Sequence, residues 1–133
     1  MELKSLMIDT KSVWMPFPGT EGFEVEIANL SRKEMTAMRK NCTIQKFDRK
    51  LRTVVEAIDE DKFVSLFTEK TVKNWKGLTY RILSSLILIK TEGLDMDEEL
   101  EYSQENAEQL ITGSVEFDNW LNEVVYDLDN FRN

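Results

Sequence analysis

The side chains with the most obvious chemical potential are five crowded carboxylates, Asp95, Asp97, Glu98, Glu99 and Glu101, the kind of oxygen-ligand set that holds a hard cation. A calcium loop, however, needs acidic or amide residues at alternate positions, glycine in the sixth and glutamate in the twelfth. Here the glycine, Gly93, precedes the cluster. The cluster therefore reads as a solvated acidic loop, and no metal site is expected. The chain has no histidine, which removes the commonest general base and the commonest neutral metal ligand. It has no glycine-rich phosphate loop and no serine-centred elbow. Cys42 stands alone, so an internal disulfide and a cysteine-rich zinc site are excluded. As a nucleophile Cys42 would need a lowered pKa and an oriented base; it reads instead as a small buried side chain. An enzyme is not expected, and no catalytic residue, metal or cofactor follows from these residue types.

Charge is unevenly spread. Residues 1–90 carry 16 Lys+Arg against 12 Asp+Glu, a balance of +4, whereas residues 91–133 carry 13 acids against Arg132 alone, a balance of −12; together these give the net −8. The two parts are expected to attract each other. Arg39, Lys40, Lys46, Arg49, Lys50 and Arg52 are opposed locally only by Asp48, a clustering that can mark a phosphate-binding surface. Stacking aromatics are scarce there and the whole chain repels a polyanion, so nucleic-acid binding is not expected and the cluster reads as a solvated face.

Several elements must position these groups. At 133 residues and 41% apolar the chain can fold around one core, and a single domain over residues 1–133 is expected. No run approaches the ~18 apolar residues of a membrane span, and Met1-Glu2-Leu3-Lys4 lacks the basic start of an export signal. A protein of the reducing cytoplasm is expected, with no membrane partner.

Val13, Met15 and Phe17 alternate with Trp14 and Pro16, and Phe23 to Ile27 alternates strictly beyond a Pro/Gly loop. This predicts a β-hairpin within residues 1–30 whose Pro16 strand lies at an edge. Such a hairpin needs a covering helix. Residues 31–133 read as mainly helical and, from 91, acidic, which makes the fold class α+β: a hairpin or small sheet packed with a mostly α-helical remainder.

Ser31-Arg32-Lys33-Glu34 is a capping box with Leu30 as its staple residue. Ile44, Phe47, Leu51, Val54, Val55 and Ile58 recur at three and four residues and predict a helix, although Thr53-Val54-Val55 leaves a strand open for its second half. Asp59-Glu60-Asp61 starts another helical pattern that runs through Phe63, Leu66 and Phe67 to Trp75, with Gly77 as its left-handed exit. The run Ile82–Ile89 reads as buried helix, although periodicity does not separate it from buried strand. Residues 91–102 read as the acidic loop, turning at Gly93. Ser103 caps a short helix, and after Gly113-Ser114 a last helix carries Val115, Trp120, Leu121, Val124, Val125, Leu128 and Phe131 as a broad stripe.

Trp75 reads as core. Trp120, Val124, Leu128 and Phe131 read as a partner-binding face, because a long stripe on a small domain exceeds what its own core covers. The six methionines suit an adaptable surface, with core filling as the ordinary alternative.

Leu30-Ser31-Arg32-Lys33-Glu34 after a hairpin strand, Val72-Lys73-Asn74-Trp75-Lys76-Gly77, Ser103-Gln104-Glu105-Asn106-Ala107-Glu108-Gln109-Leu110 and Asn130-Phe131, in this order, resemble the tail assembly chaperones of siphophages. The resemblance runs from Val13 onward. Within it, residues 78–102 depart from the pattern, with an apolar run and a long acidic loop where a short polar turn is expected. The resemblance implies a non-catalytic protein of the host cytoplasm, absent from the finished virion. Such a protein binds the long tape measure protein, keeps it soluble and helps tail tube subunits polymerise around it. It further implies contact with the tail tube protein, through a frameshifted longer product in some relatives. A homo-oligomer is compatible with that role. The competing expectation is a small acidic inhibitor or DNA mimic acting on a nucleic-acid-binding enzyme.

Overall fold

In the computed structural model, which describes residues 1–8 and 10–132, the alternating runs form strands β1 (Ser12–Pro16) and β2 (Glu24–Ala28). They pair antiparallel with Val13 opposite Ile27 and Met15 opposite Val25, so the period of two turns these four side chains to one face. Val25 and Ile27 are buried there, and Val13 and Met15 pack beside them. The Phe17 amide donates to the Phe23 carbonyl at 2.9 Å and closes the loop. The third strand, β5 (Val72–Lys76), joins the other side of β2, giving the order β1-β2-β5 with Pro16 on an edge as expected.

That third strand corrects the sequence reading. Helix α2 (Glu60–Thr71) stops at Thr71, and Trp75 lies in β5 opposite Val25 rather than at the end of a helix. A register shift between Glu26 and Ile27 breaks the alternation of β5, so its buried residues are Val72 and Trp75, a helix-like spacing. Trp75 is core nonetheless: it is buried, its indole N–H donates to the Leu100 carbonyl at 2.9 Å, and it stands edge-on to Tyr102.

The capping signals hold. Ser31 precedes α1 (Arg32–Cys42), its Oγ accepting from the Glu34 amide at 3.2 Å, with Leu30 buried and Met35 packed on the core. Asp59 accepts from the Lys62 amide at the start of α2. Ser103 and Ser114 do the same for α4 (Gln104–Gly113) and α5 (Val115–Val125). Thr68 and Thr71 of α2 are buried, and each hydroxyl donates to a carbonyl one turn back at 2.7 Å.

The helix expected over Ile44 to Ile58 is instead a second hairpin, β3 (Thr43–Asp48) and β4 (Thr53–Ile58), paired in register from Thr43 with Ile58 to Asp48 with Thr53. Phe47 and Val54, seven positions apart and thus neighbours on a helix, are also direct cross-strand partners, so the same residues satisfy both periods. The expected buried helix over residues 82–89 is likewise corrected. Thr79 caps α3 (Tyr80–Leu86), in which Leu83 is the buried residue, and Ile87 to Ile89 are not helical.

α2 packs against β2 and β5, α4 packs against α2 and α5, and α5 brings Phe117 against Phe17 and Phe23 of the β1–β2 loop, edge-on or tilted at 5.9 and 6.4 Å. The architecture is α+β, a small antiparallel sheet packed with helices. Among the described residues no helix is long and apolar enough to cross a membrane.

Candidate partner-binding surfaces

The four residues expected to form one partner-binding face are not brought together on the surface. α5 ends at Val125, and a 3-10 turn over Leu128–Phe131 then folds the chain back. At this reversal the Val124 carbonyl accepts from the Asp127 amide at 3.3 Å and from the Asn130 side-chain amide at 3.1 Å, which satisfies an acceptor at the helix end. Val124 and Phe131 consequently enter the core, each 6% exposed. Trp120 is half-buried, edge-on to Phe17 at 5.0 Å and stacked beside Phe117 at 5.8 Å. Leu128 alone faces solvent, 60% exposed. The stripe expected on a longer helix is therefore mostly packing, and the expectation is corrected on that point.

Leu128 nevertheless borders an opening. Together with Phe131, Ile8, Lys11, Asn29 and Arg132 it lines a groove of about 330 Å³ between the 3-10 turn and the N-terminal segment. Leu3, Leu6 and Met7, in the same N-terminal segment as Ile8, are exposed as well. The sequence reading missed this segment; its signal was four large apolar side chains within six positions with no element to cover them.

The second apolar surface is the β3–β4 hairpin. Ile44, Phe47, Leu51, Val54 and Ile58 are all exposed, and none of the twelve strand residues is buried. The two strands form a sheet of their own and pack on each other, and among the described residues neither outer edge is extended by a further strand. Lys46, Arg49, Lys50 and Arg52 lie on this arm, and Arg39 and Lys40 in the last turn of α1 lead into it. The basic cluster seen in the sequence is thus real in space, but it sits on an apolar hairpin rather than on a helix face.

Attraction between the basic and acidic parts is expressed sparingly within the chain. Among the described residues the one ion pair that joins them is Arg81 to Asp97 at 3.2 Å, largely solvated and worth about 0–1 kcal/mol. Arg39 also lies near Tyr126, where burial raises the phenol pKa and the guanidinium opposes that rise.

The acidic loop is tied down by the protein itself. Glu99 accepts from the Gly77 amide and bridges to Thr79, while Asp95 accepts from the Asp97 amide at 3.0 Å. Among the described residues no three His, Cys, Asp or Glu side chains are grouped to hold a metal ion. Cys42 is fully buried at the base of the arm, where its carbonyl accepts from the Asp59 amide at 2.7 Å. Tyr102 donates to the Val72 carbonyl at 2.8 Å, and burial raises its pKa.

These features amount to exposed apolar patches on a packed acidic body. Comparisons with protein-family models, with curated proteins and with solved structures found no match to this chain.

Proposed function

We propose that this protein is a siphophage tail assembly chaperone, which binds the tape measure protein in the host cytoplasm, keeps it soluble and helps tail tube subunits assemble around it before leaving. The observation that carries the reading is exposed apolar surface, at the Leu128 groove and on the β3–β4 arm, borne by a domain whose core is already filled. An isolated monomer gains nothing from such surface, whereas a holdase needs it for an apolar client. The acidic remainder keeps the loaded complex soluble. The ordered set of Ser-Arg-Lys-Glu, Trp-Lys-Gly and Ser-Gln-Glu-Asn-Ala segments is the resemblance that supports this choice of family.

The client surface differs from the stripe read in the sequence. It centres on Leu128 and Ile8, where an amphipathic client helix can place an apolar side chain between the 3-10 turn and the N-terminal segment. The tail tube protein is the second partner, met directly or through a longer frameshifted product.

Co-expression tests the reading. The wild-type protein should keep the tape measure of its own phage soluble and co-purify with it at moderate salt. Leu128→Asp combined with Ile8→Asp should abolish this while leaving the fold intact, because both side chains are exposed. A wild-type protein that neither solubilises nor retains the tape measure refutes the role. Binding instead to a nucleic-acid-processing enzyme, lost steeply as salt rises, would establish the acidic mimic in its place.

A further inference from the structure

The β3–β4 arm poses a physical problem that the rest of the fold does not solve. A two-stranded hairpin is marginal in water unless something covers a face or extends an edge, and this one has neither. Its apolar side chains are spread over both faces. Phe47 and Val54 share one, Ile44 and Ala57 the other. The arm carries Lys46, Arg49, Lys50 and Arg52 against Asp48 and Glu56, four cations to two anions, and among the described residues none of the four cations is in an ion pair.

The complementary surface is on the same chain. The outward stripe of α5 and the residue after it presents Val115, Glu116, Asn119, Glu123 and Tyr126, all exposed. Among the described residues neither Glu116 nor Glu123 is in an ion pair. Val115 and Tyr126 provide apolar contact at the two ends of this acidic stripe. Eleven helical steps separate them, about 16 Å at 1.5 Å per residue. A six-residue strand of the arm spans about 20 Å. Length, charge and apolar content therefore match between arm and stripe.

We infer that the arm is a self-association element: the β3–β4 hairpin of one copy lies across the outer face of α5 of a second copy, pairing its cations with Glu116 and Glu123. Arm-to-arm pairing is disfavoured because it sets like charges together. Arm and stripe are different surfaces, so the contact is head-to-tail, and it builds a ring if the rotation closes or a chain if it does not. This inference is independent of the proposed client, and its test contains no client.

Sedimentation of the full chain decides it. Wild-type protein should be larger than a monomer at about 50 mM salt and move toward monomer at about 0.5 M, because exposed ion pairs are screened. R49E/K50E/R52E and E116K/E123K should each weaken association on the order of 100-fold. Mixed in equal amounts they should associate again, since an acidic arm then faces a basic stripe. Thr43 and Ile58 are paired at the arm's base, so replacing residues 45–56 by an Asn-Gly turn leaves the junction closed. That variant should be a monomer with unchanged circular dichroism. A wild-type protein that stays monomeric at low salt overturns the inference, whether or not it binds an oligonucleotide. So does an armless variant that associates like wild type, or a charge-swapped mixture that stays monomeric.

Discussion

Gly77→Ala should be far more damaging than the loss of two hydrogens suggests. Gly77 follows β5 with φ +76°, a left-handed conformation that costs an L-residue about 1–2 kcal/mol. A Cβ there would also stand 1.9 Å from the Gly22 carbonyl oxygen and 2.6 Å from its carbon, both backbone atoms that cannot rotate away. Either the β1–β2 loop or the end of β5 must move. Moving the loop threatens the Phe17 to Phe23 hydrogen bond, and moving Gly77 threatens its bond to Glu99 and the Thr79 amide's bond to the Gly77 carbonyl, each worth about 1 kcal/mol. Phe23, fully buried beside Gly22, would lose part of its packing too. The sum is about 3–5 kcal/mol, a large share of the 5–15 kcal/mol stability typical of a domain. Gly93→Ala is the control: its φ is +75° but its Cβ would meet nothing within 4 Å, so only the conformational cost of about 1–2 kcal/mol remains. Urea unfolding followed by tryptophan fluorescence measures both. The two losses agreeing within about 0.5 kcal/mol would refute the close-approach argument, because strain alone would then account for Gly77.

Ser31→Ala should cost about 1 kcal/mol in the same assay, since the Glu34 amide loses its acceptor; no measurable loss would remove the cap from the account of α1. Phe131→Ala should cost about 3–5 kcal/mol as a core deletion. Phe47→Ser, on the exposed arm, should stay within about 0.5 kcal/mol when the protein is monomeric, and equal losses for the two would contradict the burial that separates them. Tyr102→Phe should cost about 1 kcal/mol at neutral pH through the lost bond to Val72. It should also change the alkaline limb. Burial raises the folded pKa of Tyr102 above 10.0, so the unfolded chain releases its proton first and stability falls as pH rises past that value. Removing the phenol should make this fall shallower, and an unchanged slope above pH 10 would count against it.

The parts of the fold legible in the sequence were those written in local chemistry. Ser31 and Ser103 announce helix starts because a side-chain oxygen must meet an amide two or three residues on, and each does so; Asp59, read only as one of three carboxylates suited to a helix start, caps α2 in the same way. Val13 to Ile27 was legible because one face of the hairpin is buried. β5 was not, since its bulge replaces alternation with a spacing that a helix also produces. The arm escaped for a different reason. Its turn contains no glycine, proline or asparagine: Asp48 accepts from the amides of Lys50 and Leu51, and Arg52 takes the positive φ of 52° that glycine usually supplies. Thr53-Val54-Val55 was the one signal that pointed the right way.

The surface was harder to read than the fold because an apolar stripe has the same period whether it meets the core of its own chain or a partner. In α5 the sheet decides. Its three strands leave Phe17, Phe23, Val25 and Ile27 to be covered, and Phe117, Leu121, Val124 and Val125 are among the side chains that cover them. Phe131 returns through the 3-10 turn to the same cluster. Apolar residues beyond what the core consumes must then lie where no sheet face awaits them, and two groups of them do: the side chains of the arm, and Leu128 with Ile8 at the end of an N-terminal segment that also exposes Leu3, Leu6 and Met7. Charge separates these two surpluses. The arm is interleaved with unpaired cations and suits an acidic copy of its own kind, whereas the groove pairs apolar walls with both signs of charge, from Lys11 and Arg132 to the neighbouring Asp127 and Asp129, and suits an apolar side chain of a client. If the division is right, reversing the arm charges should abolish self-association while a monomeric protein still holds its client. Substituting Leu128 and Ile8 should do the opposite.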